Sequence, residues 1–197
     1  GDALIKNITI DSRTAQQGDL YIAIQGEKFD GHTFALKAAQ EGASILILER
    51  SVGARVPEII VKSTTEAYGA LANHWRRQFR IPVIAVVGSN GKTTTTQMIA
   101  SILRSAVGEE SLVATEGNFN NAVGVPMTLL RFSSKTKVAV VEAGMNHPGE
   151  MAQLVSWIAP TVVVVTNAQR EHQEFLSTVE GSARENGLAI VALPKDG

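Results

Sequence analysis

Apolar positions along the chain follow two rhythms, and the change between them divides the sequence. In residues 1–80, short apolar runs at 7–10, 20–25 (LYIAIQ), 43–48 (ASILIL) and 58–61 (EIIV) are set off by polar turns and predict strands. The first two are separated by DSRTAQQGD, where Gly18-Asp19 is the kind of pair that reverses a chain. A helix is predicted over 32–41, stopped at Gly42. Over 65–79, Ala67, Leu71, Trp75 and Phe79 recur every fourth position, an apolar stripe along one helix face. Arg76, Arg77 and Arg80 near its end are expected to form a solvated basic terminus that complements the helix dipole. Ile81-Pro82 breaks this helix, and the domain boundary is placed there.

Beyond the boundary, strand and helix alternate. VIAVV (83–87), a helix over 92–105, VAVVE (138–142), a helix over 149–158 and TVVVVT (161–166) are followed by a helix around 178–187 and a strand LAIVAL (188–193). Uninterrupted apolar strands belong in a parallel sheet covered on both faces. The predicted class is therefore α/β: a small N-terminal α/β domain, residues 1–80, followed by a P-loop-type parallel-sheet domain, residues 81–197. A chain that is 44% hydrophobic can fill both cores.

Charge narrows the partners. Lys and Arg total 18 against 19 for Asp and Glu, so no net field favours nucleic acid or an anionic membrane, and any anion must be met by a local site. The absence of cysteine excludes disulfides and thiolate metal sites and makes the cytoplasm the default compartment. No apolar run approaches the roughly 18 residues needed to cross a bilayer, and residues 1–10 lack the design of a signal peptide. With glycine at both ends, the chain is expected to be a piece excised from a longer one.

The candidate chemistry lies in VVGSNGKTTTTQM, residues 86–98. A glycine-rich loop leaves a buried strand and opens a helix, the context a phosphate cradle requires, but only Ser89 and Asn90 separate Gly88 from Gly91 where the common P-loop has four residues. The glycines allow amide N–H groups to turn inward, and the helix N-terminus adds about half a positive charge. Lys92 would reach the β- and γ-phosphates of a nucleotide and Thr93 would ligate Mg²⁺, within a Thr93–Thr96 run that has poor helix propensity unless its hydroxyls have a task. Glu142, at the end of VAVVE, is the first metal candidate, because ligands of open α/β sheets bind at the C-terminal edge of the strands. Asn167 and His172 follow the next strand to that edge, where His172 either ligates a second metal or caps a loop. His32, His74 and His147 have weaker cases. The segment EGNFNNAVGVPMT, 116–128, either hydrogen-bonds a large substrate or makes turns.

Together these motifs resemble the Mur ligases, ATP-dependent amide-forming enzymes of peptidoglycan synthesis, which carry G-[ST]-x-G-K-[ST] after a strand as VVGSNGKT does here. DSRTAQQGDLYIAIQGEKFDGHTF resembles the family's uridine-nucleotide domain. GNFNNAVGVPMTLLR resembles its substrate loop, VVEAGMNHPGEM its metal strand and TNAQREHQEF its adenine-and-metal loop. The resemblance covers about the whole chain and is strongest to the branch that joins D-alanyl-D-alanine to UDP-N-acetylmuramoyl-tripeptide. It implies ATP and Mg²⁺ as cofactors and a carboxylate activated as an acyl phosphate. By position, Gly88, Ser89, Asn90, Gly91, Lys92, Thr93, Thr94 and Asn167 would bind the nucleotide, with Asn167 at the adenine. Thr93, Glu142 and His172 would hold metal, and Lys92, Glu142 and His172 would serve catalysis. Ser12 and Arg13 would contact the uridine diphosphate, and Asn118, Asn120 and Asn121 would line the substrate passage. A monomeric enzyme without nucleic-acid or membrane partners is expected.

Two departures qualify the resemblance. Many members place a carbamylated, metal-ligating lysine on the helix after the histidine loop, where the alignment puts Arg184. The family's central domain also continues past this point and is followed by a third domain, so the chain is expected to be inactive alone. Two alternatives remain: a folylpolyglutamate synthetase-like ligase, disfavoured by the DSR, LYIAIQG and DGHTF segments, and a nucleotide-binding module that forms no bond, which should bind ATP tightly as this piece.

Overall fold

The structure, a computed structural model, describes residues 4–26, 29–169 and 178–195. The chain forms two compact units, Gly1–Tyr68 and Gly69–Gly197, and the division falls inside helix α2 (Thr64–Arg76).

The first unit carries a sheet of β1 (Asn7–Thr9), β2 (Asp19–Ile22), β3 (Ile45–Leu48) and β4 (Glu58–Ile60), in that order and parallel throughout. Parallel pairing of Asn7 with Asp19 means that DSRTAQQGD is a crossover rather than the chain reversal predicted for it. Two local turns replace the single one expected. Asp11 accepts from the Arg13 N–H at 2.9 Å and Asp19 accepts from the Gln16 N–H at 2.9 Å, so the carboxylates bend the chain twice and return it to its starting direction. A 3₁₀ turn (Gly31–Phe34) leads into α1 (Ala35–Glu41), and Ala35 and Ala38 pack on Tyr21, Ala23, Leu46 and Leu48.

His32 pins this unit. Its ring is buried, with Nδ1 2.7 Å from Asp30 Oδ1 and Nε2 accepting the Glu49 N–H at 2.8 Å, a pairing that requires the proton on Nδ1. Asp30 also meets the Arg50 guanidinium. That contact, followed by the His32 N–H, holds the Asp30 carboxyl well below the usual carboxylate range.

The second unit is built on β5 (Val83–Val87), β6 (Leu112–Ala114), β7 (Val138–Glu142) and β8 (Val162–Val165), parallel in the order β6-β7-β5-β8. The period-two alternation of a strand divides its valines and alanines between two faces. Val83, Ala85, Val87, Ala139 and Val141 pack with side chains of α4 (Gly124–Leu130), α5 (Glu150–Ile158) and α6 (Val179–Val191). Ile84, Val86, Val138 and Val140 pack with those of α3 (Lys92–Val107). Both faces are covered, as the apolar runs predict. The α/β class and the parallel sheet of the second unit are as expected, whereas the parallel pairing in the first unit is not.

Three expectations are corrected. LAIVAL continues α6 and forms no strand: Ser182, Asn186 and Ala189 are buried at helical spacing while Ile190 and Val191 are exposed, and so short an apolar run has no distinguishing period. The segment 116–128 is loop or turn only as far as Val123, since α4 begins at Gly124 with Pro126 in the tolerant first turn, and an unpredicted strand, β6, precedes it. Helix α2 ends at Arg76 and buries Tyr68, Ala72 and Arg76, leaving Trp75 exposed.

Arg76 is thus no solvated terminus. It is 6% exposed and donates to Ile158 O at 3.0 Å, Ala159 O at 2.8 Å and Phe79 O at 2.9 Å. Its charge closes the C-terminal end of α5, where carbonyls lack intrahelical partners, and its burial lowers its pKa.

Replacing Arg76 with Met should strand those carbonyls and destabilise the unit by roughly 2–4 kcal/mol, measured by urea unfolding. In the first unit, the depressed Asp30 carboxyl stabilises the fold at pH values above its unfolded pKa of about 4, and this contribution is lost as pH falls. Asp30→Asn should therefore flatten the acid limb of a stability-versus-pH curve.

Candidate active site

The phosphate loop begins where β5 ends. Gly88 has φ 123° and a packing reason to be glycine: a Cβ there would collide with Thr166 Oγ1 and lie 2.9 Å from Asn167 O. Gly91 has φ 78° and open space where its Cβ would be, so the glycine answers to backbone conformation alone. It stands at the start of α3, which no side chain caps. The sixteen-residue helix therefore presents its first turn, and its positive end, to the space beside the loop.

The loop is held from beneath by the segment after β8. Ser89 N–H donates to Asn167 O at 3.0 Å, Asn90 N–H to Asn167 Oδ1 at 2.9 Å, and both Thr166 Oγ1 (2.7 Å) and Asn167 Nδ2 (3.1 Å) donate to Asn90 O. Asn90 Nδ2 reaches Gln169 Oε1 at 2.8 Å. Lys92 lies back over the loop, its ammonium 2.7 Å from Gly88 O and 3.0 Å from Ser89 O. Thr94 is exposed on the first turn.

Glu142 faces this loop from β7. The carboxylate is 1% exposed, and Oε1 accepts from Asn120 Nδ2 at 2.7 Å and from Thr93 Oγ1 at 3.2 Å. Oε2 is buried without a hydrogen-bond partner. A buried carboxylate oxygen with no donor is costly, and a bound cation is the natural remedy. With the Thr93 hydroxyl beside it, the pair would suit a hard divalent cation such as Mg²⁺, with its remaining oxygen ligands supplied from outside the protein. Among the described residues no group of three His, Asp or Glu side chains could hold a metal alone. His172 lies outside the described residues.

The three asparagines separate in role. Asn120 binds Glu142 and its carbonyl accepts the Gly144 N–H at 2.9 Å. The Asn121 Oδ1 accepts from Val123 and Gly124 N–H at 3.1 and 2.9 Å, starting α4. Asn118 is exposed. His147 pairs with Glu150, Nδ1 to Oε1 at 3.1 Å, and His74 is exposed on α2. Arg184 is exposed on α6; the inward positions of that helix are Ser182 and Asn186, which sequence reasoning missed. Their only signal was i,i+4 spacing of two polar residues on an otherwise apolar stripe.

In the first unit, a groove of about 560 Å³ is lined by Ser12, Arg13, Tyr21, Phe29, Phe34 and Lys37 among others. Ser12 is buried, and Arg13 forms a two-bond pair with Asp11, Nε to Oδ1 at 2.9 Å and Nη2 to Oδ2 at 2.6 Å. These hydrogen bonds lower the Asp11 pKa to about 2. Burial pushes the Tyr21 hydroxyl up to about 12, and it donates to Gly31 O at 2.9 Å. Lys37 and the Asp11-paired Arg13 thus stand beside aromatic walls, a setting in which a phosphorylated ligand with a planar base would compete with Asp11 for the guanidinium.

A family model described as the Mur ligase middle domain matches residues 86–196, and one described as the Mur ligase family, catalytic domain, matches residues 4–76. The chain belongs to the Mur ligase family. The UDP-N-acetylmuramoyl-tripeptide--D-alanyl-D-alanine ligase of Escherichia coli K12 is 40% identical over 196 residues, covering 100% of this chain and 43% of its own length. MurF from Acinetobacter baumannii superposes with a TM-score of 0.91 at 35% identity, covering 98% of this chain and 42% of its own. The Thermotoga maritima MurF ligase, solved in complex with ADP, gives 0.89 at 29% identity, covering 99% and 45%. The chain thus spans less than half the length of these Mur ligases.

Gly88→Ala should disrupt the loop, because the added methyl meets Thr166 and the backbone of Asn167, and neither is a flexible side-chain end. The expected outcome is loss of nucleotide binding by calorimetry in the full-length ligase, with its far-UV circular dichroism retained.

Proposed function

We propose that this chain supplies the UDP-substrate-binding part (1–80) and the first portion of the ATP-binding part (81–197) of a cytoplasmic, monomeric ligase. The enzyme adds D-alanyl-D-alanine to UDP-N-acetylmuramoyl-tripeptide in peptidoglycan precursor synthesis. The observation that carries this reading is the pairing of a GSNGKT loop with a buried, half-satisfied Glu142 carboxylate, in a chain 40% identical to a ligase of that name.

The chemistry asks for what these residues offer. A carboxylate oxygen of the tripeptide attacks the γ-phosphorus of ATP, ADP leaves, and an acyl phosphate forms. The amine of D-alanyl-D-alanine then attacks the acyl carbon, loses a proton and expels phosphate. The first step brings two anions together, so positive charge must be placed between them. Lys92 and the N-terminus of α3 supply part of it, and Gly88 to Thr94 with Asn167 form the nucleotide site. Thr93 and Glu142 would hold Mg²⁺, which when bound neutralises phosphate charge as a Lewis acid. His172 would hold a second metal. Asn120 orients Glu142, and Asn118 and Asn121 flank the passage for the peptide. Ser12 and Arg13 would bind the diphosphate in the groove of the first unit, where Lys37 adds a second cation.

A full-length ligase carrying these residues should release phosphate from ATP only when both UDP-N-acetylmuramoyl-tripeptide and D-alanyl-D-alanine are present. Equal turnover with glutamate or a single amino acid in place of the dipeptide would overturn the assignment. Lys92→Ala should lower kcat by at least about a hundredfold without changing the circular dichroism spectrum.

A further inference from the structure

The underside of the phosphate loop is joined to α6 by a buried polar chain that the reaction does not itself require. Ser89 Oγ accepts the Gln169 N–H at 2.8 Å, lies 3.1 Å from Gln169 O, and lies 3.0 Å from Ser182 Oγ. Asn186 Nδ2 donates to Ser182 O at 2.9 Å and approaches Ser182 Oγ at 3.4 Å. Ser182 is wholly buried and Asn186 is 1% exposed, so the hydrogen bonds of this chain are made within the protein.

Counting protons gives the chain a direction. Each serine has one O–H to donate. If Ser89 donated to Ser182, the Ser182 proton would have no acceptor within reach among the described residues and Gln169 O would lose this donor. The arrangement that uses every group runs from Asn186 N–H to Ser182 Oγ, from Ser182 O–H to Ser89 Oγ, and from Ser89 O–H to Gln169 O. In such a chain each bond polarises the next.

We infer that Ser182 and Asn186 are positioning residues for the nucleotide: through Ser89 they set the height and orientation of the loop over which the phosphates lie. The inference rests on the nucleotide site proposed above. Helix α6 suits this task because it is anchored independently at the neighbouring loop, where Glu185 accepts the Gly149 N–H at 2.9 Å ahead of α5. The helix thus spans from the phosphate loop to the segment that follows Glu142, and holds the two at a fixed separation. Lys92 depends on the same loop, since its ammonium rests on Gly88 O and Ser89 O.

The test is steady-state kinetics of the full-length ligase with Ser182→Ala and with Asn186→Leu, a shape-matched change that removes the amide. Each should raise KM for ATP about tenfold, the equivalent of one lost buried hydrogen bond, while KM for the UDP-peptide changes less than twofold. Hydrogen exchange should quicken at the amides of Ser89, Asn90 and Gln169 and nowhere else in the second unit. Ser89→Ala combined with Ser182→Ala should cost no more than the larger single change. Arg184→Ala, on the outward face of the same helix, should leave both KM values unchanged. An unchanged KM for ATP in a folded variant, or equal rises for both substrates, would overturn the inference; if Ser182→Ala fails to fold, Asn186→Leu decides alone. A wild-type enzyme without ATP-dependent ligase activity would instead refute the proposed function, so the two failures are distinguishable.

Discussion

Glu142 reaches the phosphate loop because β5 and β7 pair in one register, with Val86 opposite Glu142. The ladder continues past the strand ends: Ala143 N–H donates to Val86 O, and on the other side Thr166 N–H donates to Val87 O. Three chain segments therefore leave the sheet together at one edge. Residue 142 belongs with Val138 and Val140 on the face packed by α3, whose first turn carries Thr93. A slip of one residue would send the carboxylate to the opposite face, among the side chains of α4 and α5. The chemistry of the site is a consequence of strand register.

Burial around that carboxylate is assembled from distant parts of the chain. Thr115 Oγ1 accepts the Glu142 N–H at 2.9 Å, just beyond β6, and Asn120 reaches Oε1 from the loop that follows. The same Asn120 lies against Gly144, where an added Cβ would be 3.1 Å from its amide nitrogen. The asparagine-rich segment is consequently part of the wall that keeps water from Glu142, as well as a proposed lining for substrate.

Three of the four strands of the second unit were legible because valine and alanine runs flanked by breakers admit few other readings, and VIAVV and VAVVE match β5 and β7 residue for residue; the three-residue β6 is too short to show such a run. LAIVAL defeated the same logic because a buried helix face and a buried strand look alike over six residues. The shift of α2 by one position has a different cause. Trp75 spans the surface with its indole N–H on Phe132 O, while the charged Arg76 goes inside to meet carbonyls, so hydrophobicity misleads where backbone acceptors decide burial. At the candidate site, the convergence of Thr93 and Glu142 beside the Lys92 loop could be anticipated from motif and strand position. The burial of Ser182 and Asn186 beneath the loop could not, because it depends on a contact between Ser182 and Ser89, 93 residues apart.

Among the described residues the Lys92 ammonium rests on two carbonyl oxygens, Gly88 O and Ser89 O. An anion arriving at the ammonium must compete with those oxygens, so the lysine contributes a difference between acceptors rather than its whole attraction. Such an exchange keeps the cation from repelling its surroundings while the site waits, and it makes release easier than capture by a bare charge would allow. The short loop thus holds its charge in reserve.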